Sequence, residues 1–359
     1  LPSLEQTLQD VLALSREAGT PEETRARELI VAHLTGLGYR VQTQSFTFHP
    51  SSLLGFPIFG AGLGGLSLML LPLLAIQVIP AWGALLVWLT GLGALLILSF
   101  CVGAGWLPLG GVPREDANVI AVRGEQPVRR WLVAHLDTKA QGHSMAGRLV
   151  AVWLIALTVV TLTLLCLARL GGAVPLPPIV AGAALALCAG ALAGRGRLRG
   201  TSRGARDNGT GIAAVLCAAE HSPDSATGVL ITGSEEFGMV GARVFAQLEA
   251  HRLRGTTVVN LDTIDQEGDL FLVSHDARGN SLAREVSGLL KGLGVPLKSR
   301  RLPLGILVDS MPLARAGAPA ITIGRLTWRT LRRIHTPSDT PDSLSLEMAL
   351  RVGRSLVAN

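Results

Sequence analysis

Two patterns alternate along the 359-residue chain. From Val41 to Pro113 there is no Asp, Glu, Lys or Arg, and this run holds two apolar segments, roughly Leu53–Leu74 and Trp82–Val102, with a turn at Gln77–Pro80. A second apolar stretch, Leu149–Gly194, has Arg169 as its only charge. Gly171-Gly172 and Pro175, Pro177 and Pro178 divide it into Leu149–Ala168 and about Val174–Ala193. Each of the four segments approaches the roughly 20 apolar residues that cross a hydrocarbon core. None carries the polar stripe of a helix packed on the surface of a soluble domain. Trp82 and Trp106 bracket the second segment and Trp153 lies near the start of the third, where interfacial aromatics belong. The pattern predicts two transmembrane helical hairpins, residues 51–103 and 149–194, in preference to four buried helices of a soluble core.

The polar remainder, residues 1–50, 104–148 and 195–359, alternates strand-like and helix-like segments and is read as one discontinuous α/β domain. Thr20-Pro21-Glu22-Glu23 combines an N-cap, a proline at the first helical position and a capping-box Glu. That helix ends at Gly38. Strands are expected at Tyr39–Phe48, Asn118–Val122, Trp131–Ala134, Val229–Thr232, Thr257–Leu261, Leu270–Val273 and Ala320–Ile323. Helices are expected after Gly211, at Val240–Glu249, around Ser281–Leu290 and at Ser345–Leu356. Alternation with fully apolar central strands predicts a mostly parallel central sheet flanked by helices. Such sheets place their ligands at the carboxyl ends of the strands.

Composition agrees with a membrane protein. The chain is 48% hydrophobic and 16% charged, with mean hydropathy +0.43, too apolar for an ordinary soluble domain. The first 50 residues are polar and helix-like, so no signal peptide is expected at the start. Four crossings in two hairpins put both termini and every polar segment on one side. Arg148, Arg195, Arg197, Arg199, Arg203 and Arg206 flank the hairpins there, which predicts a cytoplasmic catalytic domain and termini. The net charge of +6 is largely juxtamembrane and has no interleaved aromatics, so it suits a lipid bilayer and not nucleic acid. Cys101, Cys166 and Cys188 fall in apolar segments and Cys217 in an expected helix, which does not suggest a disulfide framework, and no CxxC spacing points to cysteine-bound zinc.

The chemistry-capable residues occur in a fixed order: His135 and Asp137, then Asp207, the pair Glu235-Glu236, Asp262 and His335. His135, Glu235-Glu236 and Asp262 each fall at or just after a predicted strand. Two divalent metals a few ångströms apart require about five protein ligands, one of them a bridging carboxylate. Imidazole mixed with carboxylate suits zinc. Adjacent acids at a strand end point in different directions, so one of Glu235 and Glu236 can bind metal while the other faces substrate. Taken singly, Asp207 reads as a helix N-cap and His335 as structural. The remaining histidines, and Asp265, Asp269, Asp339 and Asp342, read as surface, capping or turn residues.

The stretches Ala134-His135-Leu136-Asp137-Thr138, Arg206-Asp207-Asn208-Gly209-Thr210-Gly211, Ser234-Glu235-Glu236-Phe237-Gly238, Asn260-Leu261-Asp262, Asp309-Ser310-Met311-Pro312 and His335-Thr336-Pro337-Ser338-Asp339-Thr340 carry a resemblance. In this order the chain resembles the dizinc aminopeptidase family, metallopeptidase family twenty-eight, which includes bacterial leucine-type aminopeptidases and glutamate carboxypeptidases. The likeness covers the polar chain and none of the apolar segments. It implies a zinc-exopeptidase sandwich with two Zn²⁺: Asp207 bridging, His135 and Asp262 on one ion, Glu236 and His335 on the other. It further implies Glu235 as general base and Asp137 as the residue that hydrogen-bonds His135. Tyr39, the single tyrosine, lies far from every motif, so the oxyanion-assisting tyrosine of some relatives is missing.

The resulting expectation is a membrane-embedded zinc exopeptidase, most simply an aminopeptidase acting on short hydrophobic peptides. Alternatives are a glutaminyl cyclase-like enzyme with one zinc, and a catalytically inactive scaffold of the same fold. The 72 residues between Asp262 and His335 leave no room for an inserted lid domain. Residue preference and oligomeric state are not legible.

Overall fold

The computed structural model describes residues 2–75, 79–223 and 226–358. The chain divides into two compact units, Leu1–Phe48 with Pro113–Ala140 and Gly200–Asn359, and His49–Val112 with Gln141–Arg199. In chain order the helices are α1 (Leu4–Ala13), α2 (Pro21–Gly36), α3 (Gly55–Ala75), α4 (Ala81–Gly103), α5 (Met145–Leu170), α6 (Leu176–Gly194), α7 (Thr210–His221), α8 (Val240–Leu248), α9 (Ala250–Leu253), α10 (Ala277–Leu290), α11 (Ser310–Arg315), α12 (Trp328–Arg333) and α13 (Glu347–Val357). The strands are β1 (Arg40–Phe48), β2 (Arg114–Val122), β3 (Arg130–His135), β4 (Thr227–Thr232), β5 (Thr257–Ile264), β6 (Leu270–Ser274), β7 (Leu297–Arg301) and β8 (Ala320–Arg325).

In the first unit all eight strands form one sheet, ordered β1-β2-β4-β3-β5-β8-β6-β7. The four neighbouring strands β4, β3, β5 and β8 run parallel. β1, β2 and β6 attach through antiparallel pairings, and β7 lies parallel to β6 at the far edge. The sheet is therefore mixed, with its parallel character confined largely to the centre. The central strands are buried along most of their length, as their largely apolar sequences require. β7 escaped the sequence pattern because Leu297-Lys298-Ser299-Arg300-Arg301 is almost wholly charged or polar, the composition that protects a sheet edge from pairing.

One face of the sheet packs Ile212, Val215, Leu216, Leu282, Val286, Val352 and Leu356 from α7, α10 and α13. The other packs Trp131, Leu230 and Val258 against Phe245 of α8 and Leu313 of α11. The start of α2 follows the sequence expectation in part. Thr20 caps the helix by accepting the Glu23 amide at 3.3 Å. Glu23, however, accepts the Gly19 amide at 2.9 Å in place of the Thr20 amide, because its carboxylate turns inward to Arg27.

The second unit contains α3 to α6, every one of them long and apolar enough to cross a membrane. At 1.5 Å per residue the 23-residue α4 is about 35 Å long and the 19-residue α6 about 28 Å. The turn expected at Gln77–Pro80 falls partly outside the described residues. Ile97 is 67% exposed and Leu164 59%, with Leu89, Phe100, Leu157 and Val160 also open, so these helices present a broad apolar surface. α3 and α6 meet at Gly60 and Gly190. A Cβ on Gly60 would stand 2.4 Å from the Ala193 Cβ and one on Gly190 2.6 Å from the Gly60 carbonyl, so neither position admits a side chain. Trp88, fully buried, donates its indole N–H to the Thr163 hydroxyl at 2.9 Å.

Candidate active site

The parallel centre of the sheet supplies the scaffold. His135 ends β3, Glu235-Glu236 follow β4, Asp262 lies in β5, and Asp207 and His335 come from loops. These elements converge on two groups of ligand-type atoms, His135, Asp207 and Asp262, and Asp207, Glu236 and His335, each group lying within 4.8 Å. Asp207 belongs to both. Its Oδ1 is 3.2 Å from His135 Nε2 and its Oδ2 is 3.1 Å from His335 Nε2. His335 Nε2 is also 3.2 Å from Glu236 Oε1, and His135 Nε2 is 3.9 Å from Asp262 Oδ1. A carboxylate that turns one oxygen to each group is placed to bridge two cations.

Local backbone conformation aims these side chains. Three non-glycine residues with positive φ occur at the site, Ser234 (50°), Thr263 (55°) and His335 (64°). Side-chain-bearing residues rarely adopt this region, and such outliers persist only when their surroundings hold them. The Ser234 hydroxyl donates to Asp116 Oδ2 at 2.5 Å, which itself pairs with Arg27. Thr263 donates its hydroxyl to Asp262 Oδ1 at 3.0 Å, where the β5–β8 register shifts between Leu261 and Ile264. That bulge turns Asp262 out of the ladder toward the site.

Asn208 and two acids read as turn residues are the groups the sequence reading missed. Asn208 accepts the Gly211 and Thr263 amides at 3.0 and 3.2 Å and donates to the Leu261 carbonyl at 2.8 Å, tying the Asp207 loop to the end of β5. A Cβ at Gly211 would lie 2.2 Å from both Asn208 Oδ1 and the Leu261 carbonyl, so only glycine fits there. Asp339, fully buried, accepts the Arg206 and Asp207 amides at 3.0 and 3.2 Å. Asp265 accepts the Thr330 hydroxyl at 2.7 Å and pairs with Arg206 at 3.3 Å. Asp339 does sit in a turn, its amide bonded to the Thr336 carbonyl, but its side chain points inward. The signal was its position four residues after His335 inside a matching stretch.

Arg206 changes accordingly. The sequence reading counted it among juxtamembrane charges, whereas it is buried against Asp265 and Asp339. Arg195, Arg197, Arg199 and Arg203 are exposed.

Asp137 does bond His135, through its backbone carbonyl. Its carboxylate accepts the Glu235 and Glu236 amides at 2.8 and 3.0 Å, and so fixes the acidic pair. His135 Nδ1 lies 3.0 Å from the Asp137 backbone carbonyl but 3.6 Å from the carboxylate, so the carbonyl sets its tautomer. Arg16, fully buried, donates to the Leu136, Arg203 and Gly204 carbonyls at 2.9, 2.7 and 3.0 Å. It thereby joins the two segments that carry His135 and Asp207. Tyr39 donates to the Ala219 carbonyl at 3.2 Å in the core and takes no part in the site.

The electrostatics ask for cations. Burial pushes the Asp262 carboxyl up to about 6 and the Asp309 carboxyl up to about 7. Burial likewise raises Glu235 well above the carboxylate range, against the pull of His135. At Asp207 burial opposes the charge, but hydrogen bonds to His135 and His335 outweigh it and hold the carboxyl below its usual range. Burial opposes charge on His135 too, yet Asp137 and Asp207 raise it well above the ordinary value. Among the described residues Glu236 Oε1, facing the second group, has no hydrogen-bond partner, and neither has Asp309 Oδ1. A buried, carboxylate-rich cluster with imidazole nitrogens aimed inward fits a pair of divalent ions of the borderline class. Glu235 is not in either group, and its carboxylate takes no hydrogen bond among the described residues.

The chain is similar to known proteins in family model and fold. Residues 190–359 match the family model described as Peptidase family M28. No curated protein matches the chain. Among solved structures, a glutaminyl cyclase from Fimbriiglobus ruber superposes with TM-score 0.58 at 16% identity, covering 99% of this chain and 93% of that one. An aminopeptidase from an Aneurinibacillus strain gives 0.56 at 16%, covering 98% and 92%. A zinc aminopeptidase from Bacillus subtilis gives 0.58 at 15%, covering 99% and 94%. Identities this low establish a shared fold. The chain thus resembles family M28 over residues 190–359, and its eight-stranded sheet shares the fold of these structures.

Proposed function

We propose that the protein is a membrane-embedded dizinc exopeptidase that removes N-terminal residues from peptides. One observation carries the reading: Asp207 directs one oxygen into each of two triads of ligand atoms. Asp207, His135 and Asp262 would hold one zinc, and Asp207, Glu236 and His335 the other. When bound, the ions would supply Lewis acidity, acidifying a water and stabilising charge that develops on a carbonyl oxygen. The chain's own residues do the rest. Glu235 takes a proton from the water as its oxygen bonds to the peptide carbonyl carbon, and delivers that proton to the amine as the C–N bond breaks. Asp137 holds Glu235 and Glu236 in place through their amides. Asp309, whose Oδ2 accepts the Thr232 hydroxyl, would offer its free Oδ1 to a substrate's α-ammonium.

A glutaminyl cyclase-like activity is the second reading, since the fold is common to both kinds of enzyme. The complete triad of His135, Asp207 and Asp262 favours two ions over one. A non-catalytic scaffold is disfavoured because the five candidate ligands and the adjacent Glu235 are all retained. The four apolar helices would span a bilayer, with Arg148, Arg195, Arg197, Arg199 and Arg203 placing the peptidase unit and termini on the cytoplasmic side. Short hydrophobic peptides are the proposed substrates.

A panel of peptides assayed with protein reconstituted in bilayers tests this reading. Free N-termini should be cleaved, and acetylated counterparts should be cleaved at least about 100-fold more slowly, the loss expected when an ionic anchor is removed from a buried site. Equal turnover of blocked and free peptides would exclude an aminopeptidase. Cyclisation of N-terminal Gln without hydrolysis would select the second reading.

A further inference from the structure

Lys139 is a buried cation that the proposed chemistry does not use. It is 3% exposed and lies two residues after Asp137. Its Nζ stands 2.6 Å from Glu236 Oε2 and 3.4 Å from the Glu236 carbonyl. The other Glu236 oxygen, Oε1, faces His335 Nε2 at 3.2 Å. The two oxygens of one carboxylate are thus divided between an ammonium and the second triad. Among the described residues no comparable cation reaches the first triad: the groups within ion-pairing distance of Asp262 and His135 are one another, Asp207 and Asp137.

Two consequences follow from charge and geometry. With Oε2 taken by Lys139, Glu236 offers a single oxygen to an ion in the second triad. The ammonium also cancels the charge that Glu236 would contribute, and stands one carboxylate away from that ion. The first triad has no such penalty. We propose that Lys139 is a positioning residue that makes the two metal positions unequal, so that the ion held by Asp207, Glu236 and His335 is the weaker-bound and exchangeable one. The inference rests on the dimetal reading. It makes occupancy of the second position, and with it turnover, responsive to the supply of free zinc.

The relative size of two opposing effects decides the sign of the test. Losing a group that orients a metal ligand costs about 10- to 100-fold in affinity. Repulsion between a unit charge and a divalent ion several ångströms away at an effective dielectric near 20 amounts to more than that. Removal of the ammonium therefore tightens the second position.

Equilibrium dialysis of zinc against the metal-stripped, detergent-solubilised full chain measures both affinities without an activity assay. The native protein should bind two ions in separated steps. Lys139→Met, close in volume and uncharged, should tighten the second step at least about 10-fold and leave the first within about threefold. Lys139→Arg should preserve the native separation, which a merely space-filling role for Lys139 would not require. A second step that is unchanged or weakened in Lys139→Met overturns the inference while leaving the dimetal reading intact. A native protein that binds one ion or none overturns the dimetal reading, and the inference with it.

Discussion

Glu235→Gln is expected to lower peptide hydrolysis by about 10³-fold, within the 10²–10⁴ range of a positioned general base, while both zinc ions stay bound. The substitution keeps the side chain's length and leaves the backbone amide that bonds Asp137 untouched. It removes only the capacity to accept a proton from water and return it to the departing amine. Glu235 belongs to neither triad, so ligand geometry is not disturbed. Its carboxylate is buried and free of hydrogen-bond donors among the described residues, which suits a group that must take and release a proton. Paired measurement of kcat and of zinc content on the same preparation separates the two roles. Residual activity within tenfold of native would assign the proton transfer elsewhere; loss of zinc would move Glu235 into the ligand set.

The second large effect is expected at Asp207. Replacing it by Asn keeps the size but leaves one oxygen where two are needed, and removes the charge shared by His135 and His335. Both ions should weaken, by about 100-fold or more, since changes to residues behind a ligand already cost 10- to 100-fold. The folded structure should survive, because Asp207's own backbone is fixed from outside by Asp339 and its neighbour Asn208 is tied to β5. Zinc retention after gel filtration, with far-UV circular dichroism on the same sample, reads both points. Retention of two ions in Asp207→Asn would remove it as the bridge.

Much of this was legible along the chain, for physical reasons that differ from element to element. The central strands and the four apolar helices are long runs of one character, and a run of that kind has few alternatives. The ligand-type residues were legible because carboxylate and imidazole stand at strand ends, where an open sheet gathers chemistry. What the sequence hid is the support. β7 has no hydrophobic alternation because its job is to be an edge. Asp339, Asp265 and Asn208 look like ordinary turn residues, since turns and buried anchors both favour Asp and Asn. Their inward direction depends on Arg206 and on backbone amides and a carbonyl brought from 53 to 133 positions away in sequence. Asp137 shows the same limit: its neighbour His135 suggested a side-chain partner, whereas tertiary structure presents it with the amides of Glu235 and Glu236. Lys139 is the sharpest case. Nothing at residue 139 signals that Glu236, nearly a hundred positions away, waits for its ammonium.

In the proposed enzyme one buried carboxylate joins two metal positions in a bilayer-embedded peptidase. Metal analysis of the purified, detergent-solubilised full chain tests it most directly, with peptide hydrolysis followed as zinc is removed by chelation and then restored. Two zinc ions per chain are expected, with activity lost on stripping and recovered on adding zinc back. Full activity in the stripped protein, or saturation at a single ion in a protein active toward free N-termini, would contradict it.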